Sequence, residues 1–182
     1  MLVVGASVAV GILAVALRRL DYELVPQAAV LSAAFFVASL VNVPLGPGSV
    51  HLLLNGLMGL VLGWAAVPAL LVGLMLQAVF FGYGGVLVLG VNTMNLALPA
   101  LVCSALFGRA VLRAPPARLF GLGAAAGALA VLLSGLLVSG SLALSGEAFE
   151  PAARILLVAY APLAAIEGAV TGAAVSFPVS YT

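Results

Sequence analysis

Lysine does not occur in this chain, cysteine and histidine occur once each, and only 6% of the 182 residues are charged. Each scarcity excludes something. A Walker-type phosphate loop ends on a lysine that reaches the terminal phosphates, so these residues hold none, and ATP hydrolysis coupled to them belongs to another polypeptide. The lone Cys103, inside an apolar run, forms no intrachain disulfide and reads as a small packing residue. The basic residues are all arginines, scattered at positions 18, 19, 109, 113, 118 and 154. Without a basic patch the chain has no nucleic-acid partner. Soluble domains carry about a quarter charged residues, so water is not the solvent for most of this surface.

What the chain has in excess is apolar surface, 65% of residues and a mean hydropathy of +1.37. A helical span takes about 20 such residues. The runs are continuous and rich in Leu, Ala, Val and Gly rather than alternating as in an outer-membrane barrel. The expectation is an all-α integral membrane protein, a bundle of about six or seven transmembrane helices in a single transmembrane domain over residues 1–182, with the lipid bilayer as its surroundings. Polar and Pro/Gly punctuation divides it into runs near residues 2–17, 26–41, 51–64, 68–81, 96–111, 119–144 and 155–175. The first run is followed, not preceded, by Arg18 and Arg19 and lacks a small-residue cleavage site, so it reads as a span rather than a signal peptide.

Alternating sides from an external N-terminus puts every arginine except Arg154 in the cytoplasm, as the positive-inside rule prefers. The C-terminus is then cytoplasmic. Three polar loops share the outer face: the Pro/Gly segment before His51, an apolar but glycine-broken stretch over residues 82–95, and the acidic loop with Glu147 and Glu150. The second is expected to be re-entrant or to line something polar, because irregular backbone at membrane depth needs cover. Small residues four apart, Gly5 with Ala9, Gly123 with Gly127, and Ala164 with Gly168 and Gly172, allow close helix approach. They serve either internal packing or docking of another membrane subunit.

Few side chains here carry chemistry. His51 stands at the outer end of the third run, and imidazole is a common ligand for nickel, cobalt, zinc and copper. A histidine bonded to a backbone carbonyl is the structural alternative. Asn55 follows at four-residue helical spacing, and Gln77, Asn92 and Asn95 add amides near the same side. They either orient a ligand imidazole from behind or satisfy exposed backbone. Glu167, the one carboxylate well inside a span, is expected roughly 18 Å along the last helix at helical rise, too deep for first capture. Bonding between helices or coupling to a subunit suits it better, with a proton relay as the other reading. Ser49 and His51, two apart, do not face each other on a helix, so no intramembrane protease is indicated and the chain reads as non-enzymatic.

The string Val50-His51-Leu52-Leu53-Leu54-Asn55-Gly56-Leu57, with Pro44-Leu45-Gly46-Pro47-Gly48-Ser49 before it, resembles the substrate-capture membrane subunit of energy-coupling-factor importers for cobalt and nickel, the CbiM/NikM family. Further matches run through Leu76-Gln77-Ala78-Val79-Phe80-Phe81-Gly82-Tyr83-Gly84-Gly85, Leu89-Gly90-Val91-Asn92-Thr93-Met94-Asn95, Tyr160-Ala161-Pro162, Ile166-Glu167-Gly168 and Thr171-Gly172. The resemblance implies a multi-pass protein of the cell (inner) membrane. It implies Ni2+ or Co2+ as transported substrate, with no permanently bound cofactor. Its implied partners are a membrane coupling subunit, cytoplasmic ATPases and a small accessory membrane subunit. It also implies that His51 ligates the metal together with a free amino terminus and a histidine at the second position. The His-Leu-Leu-Leu-Asn-Gly string leans to the nickel type. This sequence opens Met1-Leu2-Val3-Val4 without the family's Met-His start, and a late start of the sequence is the expected reason. The competing readings are a secondary permease for another solute and a structural membrane subunit.

Overall fold

A computed structural model describes residues 1–40, 42–45, 48–82 and 85–177, with the side chains of residues 42–45 and 48–50 excepted. Seven α-helices and one small hairpin make the architecture among these residues: α1 (Leu2–Arg18), α2 (Val25–Ala38), β1 (Asn42–Leu45), β2 (Gly48–His51), α3 (Asn55–Leu62), α4 (Ala66–Phe81), α5 (Leu89–Arg113), α6 (Pro116–Ala143) and α7 (Glu150–Ser176). Proline sits in the first turn of α2, α6 and α7, where its missing N–H is not needed.

Four helical stretches are long and apolar enough to cross a membrane alone, Asn55–Phe81, Val86–Arg113, Pro116–Ala143 and Glu147–Ser176, while Leu2–Arg18 and Tyr22–Ala38 form a pair bent by 107°. Contacts divide the first of these. Asn55 bonds to Leu96, a Cβ on Gly59 would meet Ala100, and one on Gly63 would lie near Ser104, so α3 descends alongside α5. Gln77 then shares a cavity with His51, Asn92 and Asn95, which requires α4 to climb back. The reversal falls at Gly63, whose φ of 55° lies where glycine is at ease. The sequence-based division between residues 64 and 68 is therefore a hairpin tip.

The other helices follow the same logic. Gly5 packs on Val91 and Gly90 on Ala6, while Arg19 lies over the Trp64 ring at 4.6 Å, so α1 runs down beside α5. Ser32 donates to the Ala69 carbonyl and Phe36 stacks on Phe81, so α2 rises beside α4. Cys103 reaches Ala126 and Asn95 reaches Ser141, setting α6 antiparallel to α5. Gly135 against Tyr160 and Gly123 against Gly172 set α7 antiparallel to α6. Met1, Val88 and Ser145 consequently lie together at one end, with the α3–α4 tip, Arg18 and Arg19 at the other.

The small-residue positions on α1, α6 and α7 are internal packing. A Cβ on Gly127 would come within 2.8 Å of Thr171 and the Glu167 carbonyl, one on Gly168 within 2.8 Å of the Ala124 carbonyl, and one on Gly5 within 2.5 Å of Val91. Of the stretch over 82–95, Tyr83 and Gly84 lie outside the described residues, Val86–Val88 form one 3₁₀ turn, and Leu89 onward is α5, with Gly90 packed closely on Ala6 of α1.

The radial distribution of polarity is inverted relative to a water-soluble protein. Val10, Val30, Val79, Phe80, Leu112 and Val158 are exposed, whereas Asn55, Gln77, Thr93, Asn95, Ser134, Glu167 and Thr171 are buried. Lipid is the solvent this surface fits, and the polar groups at membrane depth converge on the bundle interior.

Candidate functional site

His51 is the last residue of β2, not the first turn of a helix. β1 and β2 pair antiparallel with Asn42 opposite His51, and after His51 the chain enters the bundle as irregular backbone over residues 52–54. Leu54 adopts the left-handed conformation, φ 48°, before α3 begins at Asn55. A leucine there is strained, at a cost of order 1–2 kcal/mol, and such strain persists only where surroundings over-determine it. Here the over-determining group is Glu167. Its carboxylate accepts the N–H groups of Leu53 and Leu54, the latter at 3.0 and 3.1 Å to its two oxygens. The His51 segment thus descends to the depth of Glu167 along α7.

The imidazole itself is oriented. Nδ1 of His51 lies 2.9 Å from the Leu52 carbonyl oxygen. A carbonyl only accepts, so Nδ1 carries the proton, and Nε2 is left with the lone pair a metal would take. The ring borders a cavity of about 170 Å³ whose polar wall is Gln77, Asn92 and Asn95, with Tyr160 and Leu53 beside them. Gln77 is buried and its Nε2 has no partner among the described residues, an open donor beside the cavity. Asn95 Oδ1 accepts from Ser141 at 3.4 Å.

The structure brings His51, Gln77, Asn92 and Asn95 together and leaves Asn55 out. Because His51 is in a strand, the four-residue spacing puts Asn55 on no common face with it. Asn55 is fully buried and donates to the Leu96 carbonyl at 3.3 Å and to Ser134 Oγ at 2.8 Å, a bond between helices. Tyr160 was visible in the sequence only as part of a motif, and Ser141 gave no signal there.

A second cavity, of about 260 Å³, shares Asn92, Asn95 and Val138 with the first and is bordered by Met1 and Leu2. Among the described residues no group of three or more His, Cys, Asp or Glu could hold a metal ion. Ligands beside the imidazole would have to be amides, backbone or terminal nitrogen, or water.

An apolar-surfaced helical bundle with buried amides bordering a cavity beside a histidine-bearing hairpin defines a multi-pass membrane protein. Residues 1–181 match the CbiM family, described as a cobalt uptake substrate-specific transmembrane region, and the chain belongs to that family. A Haemophilus influenzae protein named for metal transport is 54% identical over 106 residues, 58% of this chain and 52% of that protein. The fused nickel transport protein NikMN of Rhodobacter capsulatus is 40% identical over 90 residues, 46% of this chain and 26% of that protein. The matched segments thus span about half of one relative and about a quarter of the other. Among solved structures, a transition metal transporter superposes with a TM-score of 0.78 at 25% identity, covering 99% of this chain and 88% of that one. A truncated transition metal transporter gives 0.75 at 25%, covering 99% and 92%.

Proposed function

We propose that this chain is the membrane component that captures nickel or cobalt for import, with Nε2 of His51 as a metal ligand. The observation that carries this reading is the hydrogen bond from Nδ1 to the Leu52 carbonyl, which leaves Nε2 free beside the Gln77, Asn92 and Asn95 cavity. Membership of the CbiM family supports a transported ion as the occupant. Nitrogen donors suit nickel and cobalt alike. The amides orient the ion's remaining water rather than replace it.

One imidazole is a poor divalent-metal site by itself, so further nitrogen must come from elsewhere. The cavity bordered by Met1 and Leu2 adjoins the His51 cavity, and a Met-His segment placed ahead of Met1 would enter there. Energy would come from a separate membrane coupling subunit and cytoplasmic ATPases, with a small accessory membrane subunit, since the chain has no lysine for a phosphate loop. The end holding His51, Met1 and Ser145 faces outward in this reading.

Calorimetric titration of the purified protein with nickel and cobalt tests it, using the chain that starts at Met1 and a form extended by Met-His, each beside His51→Ala. Binding by the extended form that disappears with His51→Ala is expected. No binding by either form would sink the metal reading and favour a permease for another solute or a structural subunit.

A further inference from the structure

We infer that Glu167 holds and tunes the His51 imidazole through a single shared peptide group, an inference that rests on His51 being the metal ligand proposed above. The Nδ1–H of His51 donates to the carbonyl oxygen of Leu52. That carbonyl and the N–H of Leu53 belong to one planar peptide unit, and the Leu53 N–H donates to Glu167 Oε1. Carboxylate, peptide and imidazole therefore form a continuous chain of hydrogen bonds between elements more than a hundred residues apart in sequence.

The physical consequence runs from Glu167 outward. A carboxylate accepting from an N–H makes a charge-assisted bond. Polarised in this way, the peptide presents a stronger acceptor at its far oxygen. A stronger acceptor at Nδ1 fixes the tautomer and the ring orientation, leaving Nε2 as the lone-pair nitrogen a metal would take, which is what a directly bonded carboxylate does for many metal-ligating histidines. Glu167 is fully buried, and among the described residues it has no cationic partner, so its acceptor oxygens bear on these N–H groups alone.

Helix capping does not account for the arrangement. The Leu54 N–H is one of the open donors at the start of α3, and a carboxylate there is ordinary. The Leu53 N–H lies outside the helix, and its bond adds nothing to the cap. It is the bond that reaches the imidazole. Glu167 is thus a positioning residue, set by α7 at the height where residues 52–54 pass.

Because His51 is the only histidine, labelling the whole chain with 15N-histidine gives a single imidazole to observe, without metal, at about pH 8, where an ordinary imidazole is neutral. The expected result is the Nδ1–H tautomer in the unaltered protein and a mixture of tautomers in Glu167→Ala. Glu167→Gln retains an accepting oxygen without the charge and should fold with an intermediate population. Nickel affinity should fall in the same order, by on the order of 10- to 100-fold for Glu167→Ala. An Nε2–H tautomer in the unaltered protein, or an unchanged tautomer in folded Glu167→Gln and Glu167→Ala, overturns the inference whatever the nickel result. A tautomer shift in a protein that binds no nickel in any form upholds the relay and removes the metal reading instead.

Discussion

Gly56 at the start of α3 and Gly127 in α6 meet backbone to backbone, such that a Cβ on Gly56 would lie 2.7 Å from the Gly127 Cα. On the other flank of Gly127 lie Thr171 and the Glu167 carbonyl of α7. One position in α6 thereby sets the depth at which the His51 segment becomes helix and the depth of the carboxylate that receives it.

Gly127→Ala should destabilise the protein by about 1–3 kcal/mol, the usual cost of overpacking a close contact, read as a lower melting temperature in detergent. Gly121 on the same helix has open space around its Cα, so Gly121→Ala should be neutral or stabilise by up to about 1 kcal/mol. Equal melting temperatures for the two variants would show that α3, α6 and α7 do not meet as described.

Gly63→Ala isolates a backbone effect. The nearest atom to an added Cβ is Ser104 Oγ at 3.7 Å, ordinary contact, so the expected loss of about 1–2 kcal/mol comes from the positive φ alone. Thermal unfolding of Gly63→Ala beside Gly108→Ala, which has an equally distant neighbour at 3.9 Å, measures it. A Gly63→Ala protein as stable as the parent contradicts a reversal at this residue.

Asn55 and Gln77 should separate stability from binding. Asn55→Leu removes two buried hydrogen bonds between helices and should cost about 1–3 kcal/mol while leaving nickel affinity of the folded protein unchanged. Gln77→Leu removes a buried amide whose Nε2 has no partner among the described residues, so its melting temperature should hold or rise while nickel binding weakens. Calorimetry and melting on both variants decide it, and the reverse pattern would exchange their roles.

The proposed outward orientation of the His51 end is open to cysteine labelling, because Cys103, the native thiol, is fully buried. In intact cells a membrane-impermeant maleimide should modify Ser145→Cys and spare Ala114→Cys. Modification of Ala114→Cys alone would turn the molecule over and place His51 on the cytoplasmic side.

The helices were legible from local information. Hydropathy marks the runs and Pro26 marks where α2 starts, whereas Pro116 and Pro151, expected in the loops before runs starting near 119 and 155, sit in the first turns of α6 and α7. Even the tip between α3 and α4 was foreshadowed by the break between residues 64 and 68. Around His51 local reading failed: two prolines and two glycines announce an end to helix, but not that the chain would pair with itself and enter the bundle non-helical as far as Leu54. From that one error followed the placing of Asn55 on a helix face shared with His51.

The amino-acid sequence by itself determined the solvent, the helical content and the scarcity of ionisable groups, because transfer of side chains to lipid depends on composition within a run. Which of the few polar groups meet was decided by tertiary structure alone. Glu167 finds Leu53 and Leu54 across more than a hundred residues, and Gln77 returns to the level of His51, because glycine contacts fix how closely and at what height the helices cross. Those heights depend on the interhelix packing of the whole bundle, which no window along the chain contains.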